Sequence, residues 1–178
     1  CGVHAVKFQT FKTEDYVSAD DVDRFNRLKS FELSVEEFTA LSEYAHDLGL
    51  AFMSTPFDLG SVETLTPIVD AFKIASGDND FVPLLRSVCN TDKPLVVSTG
   101  LTDLRGSQQI VDLIHGEWEL RNHPGELALL HCVSTYPTPG EYANVRAITT
   151  LKSIPRCEVG YSDHTIGMTA CLAAVALG

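Results

Sequence analysis

Six short apolar runs, rich in β-branched residues and each closing on polar ones, set the rhythm of the chain: HAVKFQT, LAFMSTP, AFKIASGD, PLVVSTG, LALLHCVSTYP and CEVGYSDHT. Near-continuous hydrophobicity, as in PLVV and LALL, predicts strands buried on both faces, the habit of a parallel sheet covered by helices. Between the runs lie helical patterns. Ser34 and Glu37 have capping-box spacing, which opens a helix over SVEEFTALSEYAHDLG. There Phe38, Leu41, Tyr44, Ala45 and Leu48 are expected on one face, with Gly49 just past the end. Further helices are predicted over SVETLTPIVD, FVPLLRSVC, SQQIVDLIHGEWE, VRAITTLKSI and TIGMTACLAAVAL. The charged stretch FKTEDYVSADDVDRFNRLKSFEL reads as a long irregular excursion, either a lid or a solvated loop.

Strict alternation of strands and helices with short links implies an α/β fold. An open doubly wound sheet and a closed (β/α)₈ TIM barrel compete. No glycine-rich nucleotide fingerprint follows any strand, and polar clusters end all six strands, which favours a barrel with its site at the strand C-terminal ends. The barrel is expected only in part. The chain starts at Cys1 as though a helix had just finished, and it stops inside a helical pattern, as a piece of a longer chain would.

Composition narrows the partners. The chain has 178 residues, 44% of them hydrophobic, and a formal net charge of −11. That core is sizeable, and the acidic balance argues against nucleic acid as a partner. No apolar run reaches the roughly 18 residues of a membrane span. ACLAAVALG, the longest candidate, reads as a helix packed on a core. Five scattered cysteines (Cys1, Cys89, Cys132, Cys157, Cys171) without a CxxC pattern read as the reduced thiols of a cytoplasmic protein.

Lys7 and Gln9 stand two apart in one strand and so share a face. A strand lysine is costly to bury unless it is paired or aimed at an anion, although at a strand end it also snorkels to solvent. Lys73 repeats the arrangement ahead of Ser76 and Asp78. Two converging lysines suit a phosphate or carboxylate clamp, and a buried lysine also suits Schiff-base chemistry. Ser54-Thr55 and Ser98-Thr99-Gly100 offer hydroxyls that serve equally well as turn residues. In HCVSTYPTP, His131 and Cys132 point to opposite faces, and His131 reads as a hydrogen-bonded core histidine. Pro137 and Pro139 stiffen the loop that carries Tyr136. His164, at a strand end among Ser162, Asp163 and Thr165, is the leading metal-ligand candidate, but one histidine does not make a site. His4, His46, His115 and His123 read as surface residues.

With VKFQTF, FMSTPFD, FKIASGD, LVVSTG, LLHCVSTYPTP and GYSDHTIG in this order, the whole chain resembles the sialic acid synthase family. That family includes the N-acetylneuraminate synthases, the legionaminic-type synthases and the spore-coat polysaccharide synthase relatives. The resemblance implies strands two to seven of a (β/α)₈ barrel, without the family's first strand, its eighth strand with a second metal-binding histidine, or its C-terminal antifreeze-like domain. It implies a transferase that condenses phosphoenolpyruvate with an N-acylated hexosamine and releases phosphate. The implied cofactor is a divalent metal, Mn²⁺ foremost with Mg²⁺ or Co²⁺ as alternatives, and the implied assembly is a homodimer.

Position by position, Lys7, Thr55, Lys73, Ser76 and Ser162 resemble residues that hold the phosphoenolpyruvate carboxylate and phosphate. Lys7, Lys73 and His164 make the catalytic set, with His164 resembling a metal ligand. Gln9 and Tyr136 resemble sugar contacts. Asp78 stands where better-known bacterial members have a glutamate facing the sugar, and Ser134 where they have an asparagine near phosphoenolpyruvate. Both changes bear on the acceptor sugar. A Schiff-base pyruvate aldolase and an inert barrel piece are the alternatives.

Overall fold

All six apolar runs form strands, joined by helices in sequence order. The computed structural model describes residues 2–178, so Cys1 lies outside the described residues. The chain divides into two units, one ending at Lys73 and the other spanning Ile74–Gly178.

The first unit contains β1 (Ala5–Thr10), α1 (Thr13–Tyr16), α2 (Val22–Lys29), α3 (Val35–Asp47), β2 (Ala51–Pro56), α4 (Leu59–Leu65) and most of β3 (Ala71–Ile74). β1 pairs in parallel with β2, and β2 with β3. Strand alternation sorts the side chains. Phe8 stacks on Phe52 at 5.2 Å and meets Phe38 of α3 edge-on at 6.4 Å, while Thr10 and Ser54 share a buried hydrogen bond of 2.7 Å on the same side. Lys7 and Gln9 are thereby turned to the opposite face. The capping box forms as expected, with Ser34 Oγ accepting from the Glu37 N–H and Glu37 accepting from the Ser34 N–H. Gly49 has φ of +72°, in the left-handed region that glycine tolerates. Asp70 accepts from the Phe52 N–H at 2.7 Å and lies 2.8 Å from His46 Nε2, tying α3 to the strands.

Two expectations fail here. The stretch read as irregular holds α1 and α2. Asp21 accepts from the Arg24 N–H and starts α2, and Glu32 accepts from Thr13 and pairs with Lys29. No residue of α2 is fully buried; Val22, Phe25 and Leu28 recur at helical spacing, but the charged residues around them dominate the stretch. On α3, Phe38, Ser42 and Ala45 are the buried residues, whereas Tyr44 and Leu48 are exposed. The buried Ser42 donates its hydroxyl to the Ile68 carbonyl at 2.9 Å.

The second unit contains α5 (Val82–Cys89), β4 (Leu95–Ser98), α6 (Leu104–Leu120), β5 (Leu127–Cys132), α7 (Ala147–Leu151), β6 (Glu158–Ser162) and α8 (Thr169–Ala176). A 3-10 turn over Ser76–Asp78 leads into it. β4 pairs in parallel with β5, and β5 with β6. Leu84, Leu85, Ile114, Trp118, Leu129 and Ile148 are fully buried between strands and helices, each worth about 1.5–3 kcal/mol in transfer terms for an aliphatic side chain. Asp103 caps α6 by accepting from the Gly106 N–H, so the helix starts before the predicted Ser107.

The C-terminal helix also departs from expectation. It starts at Thr169, four residues past the predicted Thr165, with Met168 at its N-cap and no side-chain cap; Thr165 bonds to Asp163. Of its residues only Ala174 is buried, and Leu172 and Val175 are 67% and 78% exposed. With Ala174 as its single buried position, it is not the core-packed helix its composition predicts. His115 and His123 are half-buried against Trp118 rather than on the surface. Among the described residues no helix is long and apolar enough to cross a membrane.

Candidate active site at the strand ends

In the first unit the parallel register places Gln9 opposite Thr55, and Lys7 opposite Met53. Ser54 pairs with Phe72, so one further step sets Lys73 opposite Thr55. Gln9, Thr55 and Lys73 therefore form a row across three strands on one face, with Lys7 one step below. Lys73 and Thr55 are buried; Lys7 and Gln9 are exposed. Loss of hydration nonetheless lowers the Lys7 pKa from its ordinary value. Ser54 takes no part in this row, because it is turned to Thr10 on the other face.

In the second unit the site gathers around Gly100. Ser76 Oγ accepts from the Gly100 N–H at 3.0 Å. A methyl group added at Gly100 would lie 2.6 Å from Ser134 Oγ, 2.7 Å from Ser76 Oγ and 3.1 Å from the Cys132 carbonyl. Two serine hydroxyls from different loops thus converge on one point above a glycine that leaves room for them. Asn79, buried and unmarked in the sequence reading, donates to the Ser98 carbonyl at 3.0 Å and anchors the Ser76–Asp78 turn. Asp78 is half-buried, and burial followed by the charge of Asp80 raises its carboxyl pKa. Thr99 is spent internally, donating to the Leu130 carbonyl.

β5 and β6 supply the rest. Cys132 faces Ser162, and His131 faces Tyr161, on opposite sides of the pair. His131 is buried, bonded to the Ala143 carbonyl at 2.8 Å and stacked with Tyr161, the core role expected of it. His164 Nδ1 lies 2.7 Å from the Val133 carbonyl. A carbonyl only accepts, so Nδ1 carries the proton and Nε2 bears the lone pair. Tyr136, 78% exposed, stacks on the imidazole with ring centroids 3.9 Å apart.

Asp163 is a hub. Its Oδ1 accepts from the Thr165 N–H at 2.8 Å and the Tyr161 hydroxyl at 3.1 Å, and its Oδ2 from the Thr165 hydroxyl at 3.2 Å and the Cys171 thiol at 3.0 Å. Burial pushes its pKa up, but the donors from Cys171, Thr165 and Tyr161 outweigh it and hold the carboxyl at about 2. Burial and the Asp163 carboxylate push the Tyr161 hydroxyl up to about 12.

The protonated Nδ1 of His164 suits metal ligation through Nε2. Among the described residues no three His, Cys, Asp or Glu side chains gather as a metal-binding group, so His164 fits one coordination position and no more. Cys89, Cys132, Cys157 and Cys171 are free thiols, as the scattered spacing predicted.

A family model described as the NeuB family matches residues 1–178. The chain belongs to the NeuB family. An uncharacterized Methanocaldococcus jannaschii protein, MJ1065, is 48% identical over all of this chain and 51% of its own length. A Campylobacter jejuni N,N'-diacetyllegionaminic acid synthase is 34% identical over 99% of this chain and 56% of its own. The chain therefore spans about half the length of these curated relatives. Among solved structures, a Leptospira borgpetersenii N-acetylneuraminic acid synthetase in complex with citrate matches with a TM-score of 0.89 at 32% identity, covering 98% of this chain and 59% of that one. The α/β fold expected from the sequence, part of a (β/α)₈ barrel, is the fold of this NeuB family chain.

Proposed function

We propose that this chain carries part of the catalytic machinery of a transferase that condenses phosphoenolpyruvate with an N-acylated hexosamine, giving a sialic acid-type nonulosonate and phosphate. The observation that supports this most is the NeuB family match across residues 1–178, joined to polar residues at the strand ends of both units. In the first unit, Lys7, Thr55 and Lys73 would hold the phosphoenolpyruvate carboxylate and phosphate, with Gln9 beside them for the sugar. In the second, the hydroxyls of Ser76, Ser134 and Ser162 would donate to phosphate oxygens, and Asp78 and Tyr136 would take the sugar.

In the reaction, C3 of phosphoenolpyruvate bonds to the aldehyde carbon of the open-chain sugar, whose oxygen takes up a proton. Water adds to C2, the bond from C2 to the bridging oxygen breaks, and phosphate departs. The lysines offset the charge of phosphate and carboxylate throughout. A divalent cation, Mn²⁺ foremost, would supply Lewis acidity toward the aldehyde when bound, and His164 would give it one ligand through Nε2. The free thiols suit a cytoplasmic enzyme, and a homodimer is the assembly we propose with it.

One observation favours a second reading. The lowered Lys7 pKa suits a Schiff-base lysine acting on free pyruvate. The experiment is a phosphate-release assay on the enzyme that carries this chain, with phosphoenolpyruvate and a panel of N-acyl hexosamines. Sugar-dependent phosphate release that stops in excess chelator and returns with Mn²⁺ is expected. Unimpaired turnover in chelator would remove the metal role of His164, and a borohydride-trapped pyruvate adduct on Lys7 or Lys73 would favour the second reading.

A further inference from the structure

The GYSDHT segment contains a carboxylate that takes no part in the proposed chemistry and yet makes four hydrogen bonds. Three of the donors come from either side of His164: the Tyr161 hydroxyl, the Thr165 N–H and the Thr165 hydroxyl; the fourth, the Cys171 thiol, comes from α8. Asp163 and Thr165 flank His164 directly, so one carboxylate takes donors from residues on both sides of the imidazole and holds the backbone N–H that follows it. The Asp163 to Thr165 N–H bond closes an Asx turn, which fixes the direction in which residue 164 leaves the strand. The outgoing peptide is held from the other side as well. The Thr138 N–H donates to the His164 carbonyl at 2.8 Å, and Thr138 and Thr165 form an isolated parallel bridge.

The consequence lies on the ring. With its backbone held, His164 reaches the Val133 carbonyl with Nδ1, and among the described residues Nε2 makes no hydrogen bond. A free imidazole prefers the opposite tautomer, with the proton on Nε2. The turn must therefore overcome that preference for Nε2 to face outward with its lone pair.

We propose that Asp163 is a positioning residue, whose carboxylate closes the turn around His164 and so selects the Nδ1–H tautomer that leaves Nε2 free to bind an electrophile. The value of that tautomer to catalysis rests on the proposed metal role of His164; the tautomer selection itself does not.

The test needs neither substrate nor metal. Long-range ¹H–¹⁵N correlation spectra of the chain at mildly alkaline pH report which ring nitrogen of each neutral histidine carries the proton. The wild type is expected to show His164 as the Nδ1–H form. His131, bonded through Nε2 to Ala143, serves as the internal reference and should show Nε2–H. Asp163→Ala removes the acceptor, and Asp163→Glu moves it out by one methylene while keeping the charge and the least risk to folding. Both are expected to convert His164 to a majority Nε2–H form with His131 unchanged. Asp163→Asn, whose amide oxygen still accepts from the Thr165 N–H, is expected to retain Nδ1–H. Retention of the wild-type His164 pattern in the Asp163→Glu or Asp163→Ala protein would overturn the proposal, whatever the enzyme's activity proves to be.

Discussion

Thr10 Oγ1 and Ser54 Oγ lie 2.7 Å apart, both buried, and join β1 to β2 on the face away from Lys7 and Gln9. Each hydroxyl is satisfied by the other, and removing one strands its partner in the core. Thr10→Val and Ser54→Ala are each expected to cost about 1–3 kcal/mol. The double variant should cost clearly less than the sum, because no polar group is then left unpaired. Urea unfolding of the four proteins gives the cycle.

Gly100 is expected to tolerate no side chain. Alanine there would force apart Ser76 Oγ and Ser134 Oγ and press on the Cys132 carbonyl, a strain of about 1–3 kcal/mol by analogy with overpacked cores. The Michaelis constant for phosphoenolpyruvate should rise at least about tenfold if displaced hydroxyls cost about 1.4 kcal/mol of binding. An unchanged constant would show that the two serines do not touch that substrate.

His164→Gln keeps an N–H donor but replaces the aromatic nitrogen lone pair. Loss of a partner behind a ligand costs about 10–100-fold in metal affinity, and loss of the ligand itself should cost at least as much. Titration of the enzyme with Mn²⁺, followed by electron paramagnetic resonance, measures the change.

Cys89 links stability to alkaline pH. Burial, then the charge of Glu117 against the opposing Arg121, pushes its thiol up to about 12, whereas an unfolded cysteine titrates at about 8.5. The unfolded chain releases its proton first. Stability is therefore complete below about pH 8.5 and falls as pH rises toward 12. Unfolding midpoints at pH 8 and pH 10 should show the loss, and Cys89→Ala should lessen it. Cys157, Cys171 and Tyr161 are raised as well and supply the remaining slope.

Much of this was legible in the sequence. The six strands, the Ser34–Glu37 capping box and the shared face of Lys7 and Gln9 follow from period and local chemistry, which neighbours in sequence determine. The core role of His131 was legible too. What escaped depends on partners distant in the chain. Nothing in the spacing of Asn79 announces that it holds Ser98, or in Gly100 that two serines from other loops meet above it. Nor does the run Ser162-Asp163-His164-Thr165 announce that Asp163 gathers Tyr161, Thr165 and Cys171 around it. The helix over Val22–Lys29 does carry Val22, Phe25 and Leu28 at helical spacing, but the charged residues between and around them made the stretch read as a solvated loop.

The central claim is that phosphate leaves C2 of phosphoenolpyruvate with its bridging oxygen. Phosphoenolpyruvate labelled with ¹⁸O at that position, turned over by the enzyme with an N-acyl hexosamine acceptor, tests it directly. The label should appear in inorganic phosphate, because the oxygen at C2 of the product comes from water. Inorganic phosphate free of the label, as cleavage of the P–O bond to give free pyruvate would leave it, would contradict the account.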